Sequence, residues 1–237
     1  MMSLKYKRVL LKITGELFAG PEKKGFDFQS IRKLAEFLSG LQKMGLEMAI
    51  VLGGGNLFRG REITGEDFDR ATADYMGMLG TIMNGLALQT ELEKLGLETR
   101  VLSSLPVTSV CEPFIRRKAL HHLELGRIVI LAGGIGSPFF TTDSAAALKA
   151  CELNCEIILK GSNVDGVYTA DPNVDKNAKM YTELKFQEAL EKGLTVMDGT
   201  AFALCQKEKI PVVVFNIQQL DNIEKIVNGE KIGTLIN

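Results

Sequence analysis

The chain has 237 residues, of which 46% are hydrophobic and 24% charged, a composition typical of a globular domain rather than a disordered segment. Its 28 basic and 29 acidic side chains nearly cancel, which argues against nucleic acid as a partner. No uninterrupted run approaches the roughly 18 to 20 apolar residues of a membrane-spanning helix, and Met1 to Gly15 lack the pattern of a signal peptide. We therefore expect a single cytoplasmic domain over residues 1–237, without membrane or nucleic-acid partners.

Short aliphatic and β-branched runs predict strands that are buried on both faces. In chain order they are Val9 to Ile13, Met48 to Leu52, Arg100 to Leu102, Ile128 to Leu131, Ile157 to Leu159 and Val212 to Phe215. Helical patterns between most of them cover Ile31 to Met44, Arg70 to Leu95, Arg116 to Leu125, Thr142 to Leu153 and Thr200 to Glu208. This alternation predicts an α/β fold, a three-layer αβα sandwich around a central, mostly parallel sheet.

The cysteine and histidine residues do not suggest a disulfide framework or a metal site. The cysteines are Cys111, Cys151, Cys155 and Cys205, and none forms a CxxC pair. Cys151 and Cys155 could share a helical face, but we interpret them as buried apolar thiols because no further ligands lie near them in sequence. His121 and His122 are adjacent, which is poor geometry for chelation, and we expect both to be solvated helix residues.

Turns rich in glycine follow three of the predicted strands. The first strand runs into Lys12-Ile13-Thr14-Gly15, the second into Gly53-Gly54-Gly55 followed by Arg59, and the fourth into Gly133 to Gly136. In open α/β sheets ligands bind beyond the carboxyl ends of the strands, and glycine lets backbone N–H groups approach an anion. One such turn is often only a tight connection, but several together, two of them beside a cation, favour phosphate binding.

The common nucleotide-binding motifs are absent. The sequence contains no Gly-Lys pair and therefore no P-loop, and neither Gly53 to Phe58 nor Gly134 to Phe139 completes the GxGxxG spacing. Asp143 opens an alanine-rich helix, where it could simply favour the helix dipole. Lys160 directly follows the predicted buried strand Ile157 to Leu159. The segment after Lys160 forms either a plain hairpin or a nucleotide-binding loop.

Several segments resemble the amino acid kinase family and, within it, the bacterial uridylate kinases. They are YKRVLLKITGE (6–16), VLGGGNLFRG (51–60), ADYMGMLGTIMNGLAL (73–88), GSPFFTTDSAAAL (136–148), VDGVYTADP (164–172), VMDGTAFALC (196–205) and GEKIGTLI (229–236). The resemblance covers nearly the whole chain, and its most specific parts are MGMLGTIMNGLAL and SPFFTTDSAA. It implies the amino acid kinase fold and transfer of the γ-phosphoryl group of ATP to uridine monophosphate (UMP), giving UDP and ADP.

The resemblance also implies which residues form each part of the site. The catalytic residues would be Lys12, Arg59, Asp143 and Lys160. ATP would contact Lys12, Ile13, Thr14, Gly15, Gly55, Arg59, Ser162, Asn163, Tyr168 and Asp171. UMP would contact Gly54, Asp74, Ile135, Gly136, Ser137, Pro138, Phe139, Phe140, Thr141 and Thr142. One departure is Asn163, at a position where many relatives carry a second lysine.

Charge explains how these residues would work, because phosphoryl transfer depends mainly on positioning and on neutralising phosphate oxygens. Lys12, Arg59 and Lys160 suit that role, and the carboxylate of Asp143 would relieve the repulsion between the two lysines. Asp74 would accept hydrogen bonds from the ribose of UMP. Mg²⁺ would arrive with ATP, held by phosphate oxygens and water, so we expect no protein metal site.

Regulation and assembly also follow from the resemblance alone. It implies activation by GTP, feedback inhibition by UTP and a homohexamer built from dimers. Arg100 and Arg127 match family positions associated with GTP, and both precede strands, so they should lie at the end of the sheet opposite the catalytic turns. The alternative is that both are solvated residues at the start of their strands.

Two other functions remain open on the sequence alone. A kinase acting on a carboxylate or carbamate would share the glycine turns and the central lysines, but it would not need the segments Met76 to Leu88 and Phe139 to Thr142. A nucleotide sensor without catalysis could dispense with Lys12, Arg59 and Asp143, all of which are present.

Overall fold

A nine-stranded sheet forms the centre of the protein in a computed structural model that describes residues 4–59, 68–172, 174–194 and 196–237. Its strands are β1 (Arg8–Ile13), β2 (Glu47–Leu52), β3 (Thr99–Ser103), β4 (Glu112–Pro113), β5 (Ile128–Ala132), β6 (Ile157–Ser162), β7 (Glu183–Leu184), β8 (Val212–Asn216) and β9 (Thr234–Ile236). They are ordered β4-β3-β5-β2-β1-β6-β8-β9-β7. Pairing is parallel from β4 to β8, β9 runs antiparallel to β8, and β7 runs parallel to β9.

Helices cover both faces of this sheet. They are α1 (Glu16–Ala19), α2 (Phe28–Lys43), α3 (Arg70–Lys94), α4 (Arg116–Glu124), α5 (Thr142–Glu152), α6 (Phe186–Glu191), α7 (Gly199–Glu208) and α8 (Asp221–Val227). Buried residues of α1, α2, α3 and α8 pack on one face of the sheet, whereas those of α4, α5, α6 and α7 pack on the other. The predicted three-layer αβα sandwich is therefore confirmed.

The central strand shows why the predicted strands appeared as continuous apolar runs. In β1, Leu11 and Ile13 join the core on one face, while Leu10 joins the core on the other. A strand covered by helices on both sides has no polar face, so its residues do not alternate between apolar and polar. Each of the predicted strands and helices is present in the structure, whereas the short β4, β7 and β9 and the helices α1, α6 and α8 were not predicted.

The helices that matter for the site begin at side-chain caps. Asp69 caps α3 by accepting a hydrogen bond from the Thr72 N–H at 2.8 Å. Thr141 caps α5 by accepting from the N–H groups of Asp143 at 3.0 Å and Ser144 at 3.2 Å. Because these caps satisfy otherwise unpaired N–H groups, they fix where each helix starts and hence where its first side chains lie.

The fold buries two of the cysteines and one of the two histidines. Burial raises the pKa of Cys155 and of Cys205 to about 12, so both thiols stay protonated at neutral pH. The prediction of a buried thiol is confirmed for Cys155 but wrong for Cys151, which is only partly buried. The expectation of a solvated His122 was wrong, because its side chain is buried and lies near Glu112 and Arg127, while His121 is exposed. Burial lowers the pKa of His122, against the opposing effect of Glu112.

Within the described ranges, none of the helices has the length and apolar composition needed to cross a membrane.

Candidate active site

The turns after β1 and β2, together with the start of α3 and the start of α5, enclose a cleft of about 790 Å³. It is lined by Lys12, Thr14, Gly15, Glu16, Gly53, Gly54, Gly55, Phe58, Arg59, Phe68, Arg70, Ala73, Asp74, Phe140, Thr141 and Thr142. These turns meet because parallel strands bring their carboxyl ends to the same edge of the sheet. The cleft therefore lies where the glycine-rich turns predicted a ligand.

A group of three charged side chains lies beside this cleft, which one of them, Lys12, lines. Lys12 and Lys160 face each other in register on the paired strands β1 and β6. Asp143, in the first turn of α5, lies between them, with Oδ1 3.0 Å from the Lys12 ammonium and Oδ2 2.5 Å from the Lys160 ammonium. Each of the three side chains is at most 14% exposed. The structure thus brings together the three residues that the sequence predicted around one phosphate.

The protonation states of this trio follow from burial and charge. Burial opposes ionisation of Asp143, but the charges of Lys12 and Lys160 outweigh it and hold the pKa of the carboxyl below its ordinary value. Burial lowers the pKa of Lys160, and Asp143 counteracts only part of that effect. The trio therefore places a single carboxylate between two lysine side chains in a partly desolvated site, and Asp198 is a further acidic neighbour of Lys160.

Asp198 holds the helix that carries Asp143, a role that was not apparent from the sequence. Its carboxylate accepts hydrogen bonds from the hydroxyls of Thr141 and of Ser144, the latter at 2.9 Å. It also caps α7 by accepting from the N–H groups of Thr200 and Ala201. The sequence signal was an aspartate followed by glycine and threonine at the start of a helix, a pattern that reveals the α7 cap but not the contact with α5.

A second cleft of about 700 Å³ adjoins the trio on its other side. Its lining includes Lys160, Ser162, Val164, Gly166, Val167, Tyr168, Asp171 and Lys192. The structure brings Ser162, Tyr168 and Asp171 together here, as the resemblance implied for the adenosine side. Lys160 lines this second cleft and Lys12 lines the first, so the trio lies at the junction between them.

Glu16 connects three of the predicted ATP-binding segments, a contact that the sequence did not predict. Its carboxylate is hydrogen-bonded to the guanidinium of Arg59 and accepts a hydrogen bond from the Asn163 amide at 2.9 Å. The Asn163 side chain therefore points to Glu16 and does not line the second cleft. Ile13 lies next to Thr14 in the first turn, but its side chain is in the core and its carbonyl accepts from the Gly53 N–H at 2.9 Å.

The proposed acceptor residues are only partly brought together. Asp74, Gly54, Phe140, Thr141 and Thr142 line the first cleft. The segment from Ile135 to Phe139 belongs to the same turn but does not line that cleft. The Phe139 N–H donates to Asp74 at 2.7 Å, and Phe139 has a φ of 72°, a left-handed conformation that is unfavourable for an aromatic residue. One carboxylate oxygen of Asp74 therefore already holds this turn in place.

Arg100 and Arg127 lie at the opposite, amino end of the sheet. Arg127 directly precedes β5 as predicted, whereas Arg100 is the second residue of β3 and does not precede it. Arg100 lies 3.8 Å from Glu98 and 3.7 Å from Glu112, and Arg127 pairs with Glu98. The two guanidinium groups thus share Glu98 as an acidic partner. Both lie at the amino ends of their strands, whereas the glycine-rich turns follow the carboxyl ends of the strands.

Known proteins share this architecture and much of this sequence. Residues 7–216 match the amino acid kinase family. The chain is 49% identical over 234 residues to the chloroplastic uridylate kinase PUMPKIN of Arabidopsis thaliana, covering 98% of this chain and 69% of that protein. It is similar to the crystal structure of UMP kinase from Bacillus anthracis, with a TM-score of 0.94 and 40% identity over 98% of this chain and 96% of the other. UMP kinase from Ureaplasma parvum gives a TM-score of 0.91 and 39% identity, covering 99% of this chain and 100% of the other. The protein therefore belongs to the amino acid kinase family.

Proposed function

We propose that this protein transfers the γ-phosphoryl group of ATP to the phosphate of UMP, giving ADP and UDP. The observation that carries the proposal is the position of the Lys12–Asp143–Lys160 trio at the junction of two clefts, one on the acceptor side and one on the adenosine side. The relatives named uridylate kinase or UMP kinase, which cover almost all of this chain, support the choice of acceptor.

In the proposed reaction a phosphate oxygen of UMP attacks the γ-phosphorus, and the bond from that phosphorus to the β,γ-bridging oxygen breaks to release ADP. Lys12 and Lys160 neutralise charge on the transferring group and its neighbours, and this charge is largest in the transition state. Asp143 keeps the two ammonium groups close together, so little reorganisation is needed when the phosphates arrive. Arg59, at the mouth of the first cleft, would exchange part of its pairing with Glu16 for a phosphate contact.

UMP would occupy the cleft beside the start of α3. Asp74 lines this cleft and, although one of its oxygens holds the Phe139 N–H, the carboxylate retains capacity to accept from ribose hydroxyls. Uracil would be selected by backbone and hydroxyl groups between Phe139 and Thr142. Cytosine presents the opposite donor and acceptor pattern and would leave buried groups unpaired, at a cost of about 1 to 3 kcal/mol each.

ATP would place its phosphates on the turns after β1 and β2 and its adenosine in the second cleft, beside Ser162, Tyr168 and Asp171. Mg²⁺ would accompany ATP and supply positive charge to the phosphates. In the described ranges no group of three or more His, Cys, Asp or Glu side chains is placed to hold a metal ion by itself. In this proposal phosphate oxygens and water would supply most of the Mg²⁺ ligands.

Regulation and assembly complete the proposal. UTP would inhibit by occupying the acceptor cleft and extending its additional phosphates toward the ATP phosphate position. GTP would activate by binding near Arg100 and Arg127, where it would have to displace carboxylates that now pair with them. We further propose one cytoplasmic domain over residues 1–237 and a homohexamer, for which the exposed apolar side chains of α3, Tyr75, Met76, Leu79 and Met83, offer an interface.

A coupled assay with MgATP and each of UMP, CMP, aspartate and N-acetylglutamate tests the proposal. Phosphorylation of UMP at least tenfold faster than of the other acceptors is expected. A preference for either amino-acid substrate would instead establish the carboxylate kinase, and binding of nucleotides without any turnover would establish a sensor.

A further inference from the structure

Helix α3 carries polar side chains on the face that is buried against the sheet. Thr81 and Asn84 are 3% and 0% exposed, although they lie in the middle of a 25-residue helix whose neighbouring core positions are apolar. Burying such groups costs free energy unless each is hydrogen-bonded. Their partners therefore indicate why polar side chains occupy these positions.

Asn84 binds the glycine turn that follows β2. Its amide nitrogen donates to the Gly53 carbonyl at 2.7 Å and to the Asn56 side-chain oxygen at 2.8 Å, and its own oxygen accepts from the Asn56 amide at 3.0 Å. Asn56 also donates to the Gly25 carbonyl at 2.8 Å. This reciprocal amide pair holds both ends of the segment from Gly53 to Asn56 against α3.

Thr81 binds the glycine turn that follows β5. Its hydroxyl accepts a hydrogen bond from the Gly133 N–H at 2.8 Å and donates to the Met78 carbonyl at 2.7 Å. The Thr81 hydroxyl thus satisfies a buried N–H at the start of the turn that leads to Phe139. At the far end of the same turn, Asp74 of the same helix accepts from the Phe139 N–H.

Both turns therefore lie directly on one rigid helix. The turn after β2 touches the backbone of α3, since a Cβ atom added at Gly54 would lie 2.5 Å from the Gly77 carbonyl oxygen. Only glycine permits this approach. The helix that carries Asp74 also fixes the two glycine turns that border the acceptor side of the cleft.

We propose that Thr81 and Asn84 are positioning residues for the phosphoryl acceptor, which they serve by fixing the glycine turns after β5 and β2 relative to Asp74. This inference rests on the proposed function, because it takes UMP as the molecule that these turns hold. Thr81 acts mainly on the acceptor, since its turn leads directly into the acceptor segment, whereas the start of α5 beyond that segment is held separately by the Thr141 cap. Asn84 acts on acceptor binding and on transfer, since its turn also borders Gly15 and Lys12.

The test compares Thr81→Val with Thr81→Ser. Valine keeps the shape but leaves the Gly133 N–H without its acceptor, whereas serine keeps the hydroxyl. The KM for UMP is expected to rise about tenfold in Thr81→Val and less than threefold in Thr81→Ser, with the KM for ATP within twofold of the parent value in both. A purely structural role would instead reduce the folded fraction, which lowers the apparent kcat and leaves both KM values unchanged.

Asn84→Asp is a second test of the same inference, and it still applies if the Thr81→Val variant does not fold. The substitution replaces the donating amide by an oxygen that faces the Gly53 carbonyl, so kcat should fall and the KM for UMP should rise together. If the parent phosphorylates UMP and the folded variants keep its KM for UMP, the inference is wrong and the proposed function stands. A parent that phosphorylates no acceptor would overturn the proposed function itself.

Discussion

The two ends of the sheet carry charge in opposite ways. At the carboxyl end, Lys12 and Lys160 share the single carboxylate of Asp143, and all three side chains are largely buried. At the amino end, Arg100 and Arg127 are surrounded by carboxylates, of which Glu98 is 63% exposed. Cations outnumber acids in the first group, but every guanidinium in the second already has an acidic partner.

This difference determines how each end meets a phosphate. The carboxyl end holds a preformed excess of positive charge in a partly desolvated site, where Coulomb attraction is strong. The amino end must first release partly exposed ion pairs, and pairs at the surface are individually worth only about 0 to 1 kcal/mol and are weakened by salt. We therefore expect substitutions at the carboxyl end of the sheet to change turnover itself, and substitutions at the amino end to change only its stimulation by GTP.

The largest effect should come from removing the one carboxylate of the buried trio. Asp143→Asn keeps the side-chain volume but leaves two buried ammonium groups without their counter-charge, so kcat should fall by about a thousandfold while the circular dichroism spectrum stays that of a folded protein. The matched control is Asp221→Asn, an exposed helix residue paired with Lys225, which should keep the parent kcat. Turnover near the parent rate in Asp143→Asn would remove this residue from the mechanism.

A smaller effect at the same end should separate the two substrates. Asp74→Asn should weaken UMP binding about tenfold in titration calorimetry and change ATP binding less than twofold, because the neutral amide is a poorer acceptor for ribose hydroxyls. The new side chain can still accept from the Phe139 N–H and so keep the turn in place. Asp69→Asn, at the cap of the same helix, should bind both nucleotides normally, since asparagine is an equally good cap. Equal losses for the two nucleotides would contradict the assignment of Asp74 to UMP.

The buried trio should also shape the alkaline side of the pH profile. Burial lowers the pKa of Lys160, so this ammonium loses its proton, and with it its attraction for phosphate, at a lower pH than an ordinary lysine. The kcat of the parent should therefore fall as pH rises toward 10, by a few-fold more than that of Lys160→Arg, whose guanidinium stays charged. Parallel profiles between pH 7 and 10.5 would show that Lys160 does not control this limb.

The smallest effect on basal turnover is expected at the amino end. Arg127→Ala should keep UMP phosphorylation within twofold of the parent and lose most of the stimulation by GTP, because it removes a guanidinium that is remote from the catalytic turns. Arg32→Ala provides the control, since Arg32 pairs with Glu91 on another surface and should leave stimulation unchanged. If GTP does not change the parent rate, or stimulates Arg127→Ala equally, the regulatory assignment is wrong while the catalytic one stands.

The contrast between long and short elements explains what could be predicted from the sequence. Strand β5 is a continuous apolar run, β1 is apolar from Val9 to Leu11, and α3 is long enough to show a helical pattern, so the layers and their order of alternation were predictable. The strands β4 and β7 have two residues each, too few for any periodicity, and they pair only because the neighbouring strand offers an edge.

The site shows the same division. Lys12 and Lys160 lie near the carboxyl ends of β1 and β6, and Asp143 lies in the first turn of α5, so all three lie at the sheet edge where the resemblance implied a phosphate site. Asp198, Glu16 and Asn84 act through contacts between elements that are distant in the sequence, and such contacts leave no local signal. The prediction for His122 was wrong for a similar reason, because its partners come from β4 and from Arg127, the residue before β5.

The central position of β1 has a consequence for how the chain folds. β1 pairs with β2 after a connection that contains α1 and α2, but its other edge pairs with β6, which lies about 150 residues further along the chain. Until β6 arrives, an aliphatic strand exposes an unpaired edge, the kind of surface on which chains associate wrongly. Folding should therefore be slow and dependent on protein concentration, and substitutions that weaken the pairing of β1 with β6 should lower the yield of refolded protein more than they change the native activity.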